Sequence, residues 1–145
     1  MRKRPVFLMF LALFLFSTAL YAEKTAQVSA DAKEKRDAFY LLIQQEFHFT
    51  KSDCDIAKKS GYSPYYCFKL LCIAHEAKKP LTELISMVRN GDSWMDMCQD
   101  FNIDYGALMD SANKVIIENN ILFPVPTPSE AKKDVSTGVR KRGGK

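Results

Sequence analysis

The stretch from Ser63 to Lys79, SPYYCFKLLCIAHEAKK, constrains this chain more than any other. Ser63 can cap a helix, and Pro64 takes the first helical position, where a missing N–H costs nothing. Lys78 and Lys79 suit the negative end of the helix dipole, and Pro80 bars continuation. Between these signals Cys67, Phe68, Leu70, Leu71, Cys72, Ile73 and Ala74 leave almost no polar face. A helix apolar on nearly every side belongs at a centre, with other helices packed around it. The expected fold class is therefore all-α.

The flanking sequence supplies the partners. Asp31, with Glu34 three residues on, signals a helix start, and Phe39, Leu42, Ile43 and Phe47 form its apolar stripe. A short helix is expected after Ser52, with Asp55 at its third position and Gly61 as a left-handed stop. Leu81, Leu84, Ile85 and Val88 mark a fourth helix that ends at Gly91. Ser93 and Asp96 open a fifth, with Trp94, Met97, Cys98 and Phe101 as its stripe and Trp94 heading into the core. Asp104 caps a sixth, which carries Leu108, Ala112, Val115 and Ile116.

An offset of 41 residues brings the two halves into register. Ser52, Asp55, Gly61 and Ser63 fall on Ser93, Asp96, Asn102 and Asp104; Tyr40, Ile43 and Phe47 fall on Leu81, Leu84 and Val88. Cys67, Leu71 and Ala74 fall on Leu108, Ala112 and Val115. Each half then reads as three helices with a short middle one, and two copies suit one body rather than a solenoid. The segment SWMDMCQDFNID, residues 93–104, resembles the first helix and turn of a helix-turn-helix unit, and residues 52–63 resemble it less sharply. The likeness spans residues 39–118 and implies a fold of six helices in two fused three-helix units. The stretch from the central helix through Trp94 also resembles small exported helical bacterial proteins of no assigned role.

The ends differ from the body. Arg2, Lys3 and Arg4 precede a 15-residue uncharged run from Val6 to Leu20, and Leu20-Tyr21-Ala22 offers a cleavage site before Glu23. This pattern is that of a secretory signal peptide over residues 1–22, with cleavage after Ala19 as a minor alternative. The run is shorter than the roughly 20 residues needed to span a bilayer. Residues 23–30 read as a flexible lead-in, 31–123 as the helical domain, and 124–145 as a disordered basic tail. Of the 145 residues, those from 23 to 128 hold 12 basic and 15 acidic side chains, so the overall charge of +4 belongs to the ends. A nucleic-acid surface needs the opposite distribution. The helix-turn-helix likeness would place Pro64, Tyr65, Tyr66 and Lys69, and Tyr105, Gly106, Met109 and Asp110, toward a groove. One Lys and an Asp are poor material for phosphates or guanine edges. Nucleic acid is not an expected partner; the tail could instead meet anionic envelope surfaces.

Cys54, Cys67, Cys72 and Cys98 are an even set in a chain with an export signal, which argues for two disulfides. Cys67 and Cys72 point to different sides of one helix, which disfavours their pairing and leaves two connectivities open. An antiparallel hairpin about Tyr62 favours Cys54–Cys72 with Cys67–Cys98. The competing reading is metal: Cys72 and His75 share a helix face, and other cysteines could complete a tetrahedral site. Yet no Cys-x-x-Cys or His-x-x-x-His pair occurs, and no cofactor is expected.

Enzyme signatures are missing: no glycine-rich phosphate loop, Gly-x-Ser-x-Gly or His-Glu-x-x-His occurs, and capping explains the spacing of Asp31, Asp55, Asp96 and Asp104. A small envelope hydrolase with a site assembled from scattered residues is the remaining catalytic alternative. The expectation is a non-catalytic exported protein, periplasmic or extracellular, that binds a protein or envelope component. Tyr65 and Tyr66 are the candidate contact residues, because Tyr62 is expected under the turn.

Overall fold

The computed structural model describes residues 27–138, and the signal-peptide assignment over 1–22 lies outside them. The described residues form seven helices and no strand. Helix α1 covers residues 27–47; α2 is Lys51–Lys59, α3 Pro64–Ala77, α4 Leu81–Arg89, α5 Trp94–Asp100, α6 Tyr105–Glu118 and α7 Pro128–Gly138. No described helix is long and apolar enough to cross a membrane.

The chain divides within α1 into two units, one reaching Asp37 and one starting at Ala38. The described part of the first is exposed helix. Asp31 does not cap it, because residues 27–30 are already helical; its carboxylate instead pairs with Lys35 at 2.8 Å, one turn on. Of the lead-in expected over 23–30, residues 27–30 are helical and exposed.

The second unit is organised by α3. Eight of its 14 residues are buried, including Phe68, Leu70, Leu71 and Ile73, each at most 1% exposed. α3 packs on α2, α4 and α6; α4 also meets α2, and α5 meets α6. From α1, Phe39, Tyr40 and Ile43 enter this core; from α4, Leu81, Leu84, Ile85 and Val88 do. The apolar side chains sort by helical periodicity, and burying each is worth about 1.5–3 kcal/mol.

The ends are set by local chemistry. Ser63 Oγ accepts from the Tyr66 N–H at 3.2 Å, with Pro64 at the first position. Ser93 and Asp96 form a reciprocal capping box, and Asp104 caps α6 at 3.0 Å. α2 departs from expectation. Its cap is Thr50, which accepts from the Asp53 N–H at 3.0 Å, so Ser52 lies inside the helix. Gly61 adopts left-handed backbone as expected; Gly91 does too, and so do His48, Lys78, Asn102 and Asn120, where an L side chain is less at ease. α3 and α6 are both 14 residues long and start 41 residues apart, as do the left-handed residues Gly61 and Asn102.

Two further expectations are corrected. Residues 128–138 of the supposed disordered tail are helical, and 139–145 lie outside the described residues. Thr127 and Glu130 cap α7 reciprocally, with Thr127 N–H donating to the Glu130 carboxylate at 2.7 Å. The expected bridges Cys54–Cys72 and Cys67–Cys98 are not formed: all four cysteines are free and buried. Cys67 Sγ is turned into the corner between α2 and α3, 3.3 Å from both the Ala57 carbonyl and Ser60 Oγ. Cys72 lies five residues further, on another side of α3, against α6 and the α1–α2 loop.

Candidate functional site

Tyr65 and Tyr66, on the first turn of α3, part company in the structure. Tyr65 is 43% exposed, while Tyr66 is half-buried. Tyr66 stacks on the buried Tyr62 at 4.7 Å and meets Trp94 of α5 at 4.5 Å, so three rings run in series from the α2–α3 turn to the start of α5. Trp94, expected in the core, is half-buried at its edge. Its indole meets the α3 side chains Tyr66 and Lys69.

One turn beyond Tyr65, Lys69 lies 4.7 Å from the Tyr65 ring centroid and 5.5 Å from that of Trp94. An ammonium close to two aromatic rings is held by their quadrupoles, which fixes a charge beside them. Met95, next to Trp94, is 66% exposed. Tyr65, Tyr66, Lys69, Trp94 and Met95 come from α3 and α5; Tyr66 packs on Trp94, whereas the Tyr65 ring meets Phe123 edge-on at 5.0 Å and reaches Trp94 only through Lys69.

α7 holds the far end of this series. Lys133 Nζ lies 4.4 Å over the Tyr62 ring and donates to the Ser60 carbonyl, and the Asp134 carboxylate accepts from the Ser63 N–H at 3.2 Å. The Tyr62 hydroxyl is buried without a hydrogen-bond partner among the described residues. Burial pushes its pKa up, and the nearby Arg89 offsets part of that. Sequence reasoning missed α7, although Thr127-Pro-Ser-Glu130 is itself a capping-box signature with Pro at the first position.

The cysteines form no centre. Burial pushes Cys54 up to about 11 and Cys72 to about 12, and raises Cys67 and Cys98 as well. Thiols held protonated are poor nucleophiles and poor metal ligands. Cys72 and His75 do line one cavity, but no cluster of three His, Cys, Asp or Glu is placed to hold a metal among the described residues. No family model, curated protein or solved structure matches this chain.

Proposed function

We propose that this is an exported, non-catalytic helical protein, made of two fused three-helix units, that binds a protein or envelope component through the face around Tyr65 and Tyr66. The observation that carries the binding reading is Lys69 between Tyr65 and Trp94, with Tyr66 against the same indole. Rigid, amphipathic rings with a fixed charge lose little freedom on contact and supply large contact area. The basic, then apolar, amino-terminal run supports export. The 41-residue register supports the two-unit reading.

The test is site-specific photocrosslinking in the native host. A photoreactive phenylalanine analogue replaces Tyr65, and in a control chain it replaces Ile117, which is 77% exposed on α6. Adducts formed from position 65 in the envelope or outside the cell support the reading. Equal adducts from both positions, or cytoplasmic adducts alone, refute it.

A further inference from the structure

The side of α3 away from Cys67 borders a cavity that the binding face does not use. Its volume is about 220 Å³. One wall is aromatic: Phe47 and Phe49 lie nearly parallel, with centroids 5.4 Å apart and planes 12° from each other. Residues two apart do not ordinarily bring their rings together in this way. They do so here because His48 between them adopts left-handed backbone, φ 56°, and turns the chain as α1 ends. His75 meets the Phe49 ring edge-on at 5.7 Å.

The opposite wall is α6. Leu108, Ala112 and Val115 fall on one stripe, yet only Ala112 is fully buried; Leu108 and Val115 are left half-exposed at the cavity. The room comes from Ala112, whose counterpart in the 41-residue register is the larger Leu71. The protonated Cys72 thiol is apolar lining. The polar side chains of the lining are those of Ser111, His75 and Glu76, and no Lys or Arg lines the cavity.

From this arrangement we infer that the cavity between α3, α6 and the Phe47–Phe49 turn is a binding site for a small organic amine bearing one aromatic ring. A 150 Å³ apolar cavity is enough for benzene, so the volume here admits one ring with a short arm. Phe47 and Phe49 line the cavity with aromatic rings, and an ammonium is attracted both by such rings and by the Glu76 carboxylate. Glu76 is the one formal negative charge in a lining without a formal positive one, so a carboxylate or phosphate of the same size is disfavoured. A few polar groups in an otherwise apolar concavity are what fixes a small molecule's orientation.

The experiment titrates the full-length chain with 2-phenylethylamine, ethylbenzene and 3-phenylpropionate, following backbone amide shifts by NMR. The inference expects saturable shifts at Phe47, Phe49, Leu108 and Ala112, with the amine binding at least about tenfold tighter than the anion. Ala112→Leu fills the cavity and weakens the amine at least about tenfold. Glu76→Gln, an exposed change that leaves the fold intact, removes the preference for the amine over ethylbenzene. Shifts that do not saturate, an anion that binds as well as the amine, or an amine preference that survives Glu76→Gln overturns the inference. None of these outcomes bears on crosslinking from Tyr65, so the two readings fail separately.

Discussion

The Asp134 carboxylate of α7 accepts a hydrogen bond from the Ser63 backbone N–H at 3.2 Å, across 71 positions of sequence. Its neighbour Lys133 reaches the Ser60 carbonyl and the face of Tyr62. Two consecutive side chains thus grip both sides of the α2–α3 turn. The grip is polar: Val135, on the same helix, is 67% exposed. Lys133 also sits against Gly61, whose left-handed backbone lets the turn pass beneath it; a Cβ there would lie 3.3 Å from Lys133 Nζ.

Ser63 is only 5% exposed, so losing the acceptor strands its N–H. Asp134→Ala is expected to cost about 1–3 kcal/mol in urea unfolding and to speed hydrogen exchange at the Ser63 amide. Asp134→Asn keeps an acceptor oxygen and is expected to recover most of the loss. Equal effects of the two variants would show that charge, rather than the hydrogen bond, holds α7.

The capping pattern sets a second comparison. Thr50→Ala removes the hydroxyl that caps α2 and is expected to cost about 1 kcal/mol, as is Ser93→Ala at α5. Ser52→Ala, inside the helix, should change stability by less than about 0.5 kcal/mol. Thermal unfolding of the three variants distinguishes the structure from the sequence reading, which gives Ser52 the role of cap.

What was legible in the sequence was what short-range physics decides. α3 is bounded by Ser63-Pro64 and Lys79-Pro80, and its apolar surface leaves it one place, the centre. Ser93 with Asp96 reads as a box because its partners are three residues apart. What was not legible depends on distant contacts. α7 has little apolar surface, and its hold consists of Lys133 and Asp134 meeting a turn some 70 residues earlier. The Phe47–Phe49 pair depends on left-handed backbone at His48, a residue that gives little warning of it. The number of cysteines and the export signal argue for bridges, whereas pairing requires geometry. The corner that holds Cys67 and the α6 side that faces Cys72 exist only once the helices pack.

Those two thiols respond differently to the same substitution. Cys67 Sγ lies among the Ala57 carbonyl, Ser60 Oγ and the Tyr62 carbonyl, so a serine hydroxyl there inherits partners. The rise in the Cys72 pKa comes from burial alone, and its thiol makes no hydrogen bond among the described residues. Cys72→Ser is therefore expected to destabilise by about 1–3 kcal/mol and Cys67→Ser by clearly less. Paired denaturant titrations measure the difference, and the reverse order would show that the Cys67 contacts contribute little.

The raised thiol pKa values also fix how stability depends on pH. From an ordinary value of 9.0, Cys54 rises to about 11 and Cys72 to about 12 in the folded chain; Cys67 and Cys98 shift the same way. Below 9.0 both folded and unfolded chains hold these protons, and the cysteines add no pH dependence. Above it the unfolded chain releases them while the folded chain still binds them. The unfolded state then binds fewer protons, and stability falls as pH rises. The fall runs from about 9 to the folded values near 11 and 12, and Tyr62, also raised, adds to it from about 10 upward. The urea midpoint of the reduced chain should hold level from pH 7 to about 8.5 and then decline. A Cys54→Ala, Cys72→Ala chain should decline less steeply, from a lower plateau set by the lost side-chain volume. Native thiols should resist alkylation at pH 8 and react on unfolding, because the buried groups remain protonated and out of reach. A flat midpoint up to pH 11, or four thiols that react in the native state, would mean that the cysteines are not held in the buried, protonated setting seen here.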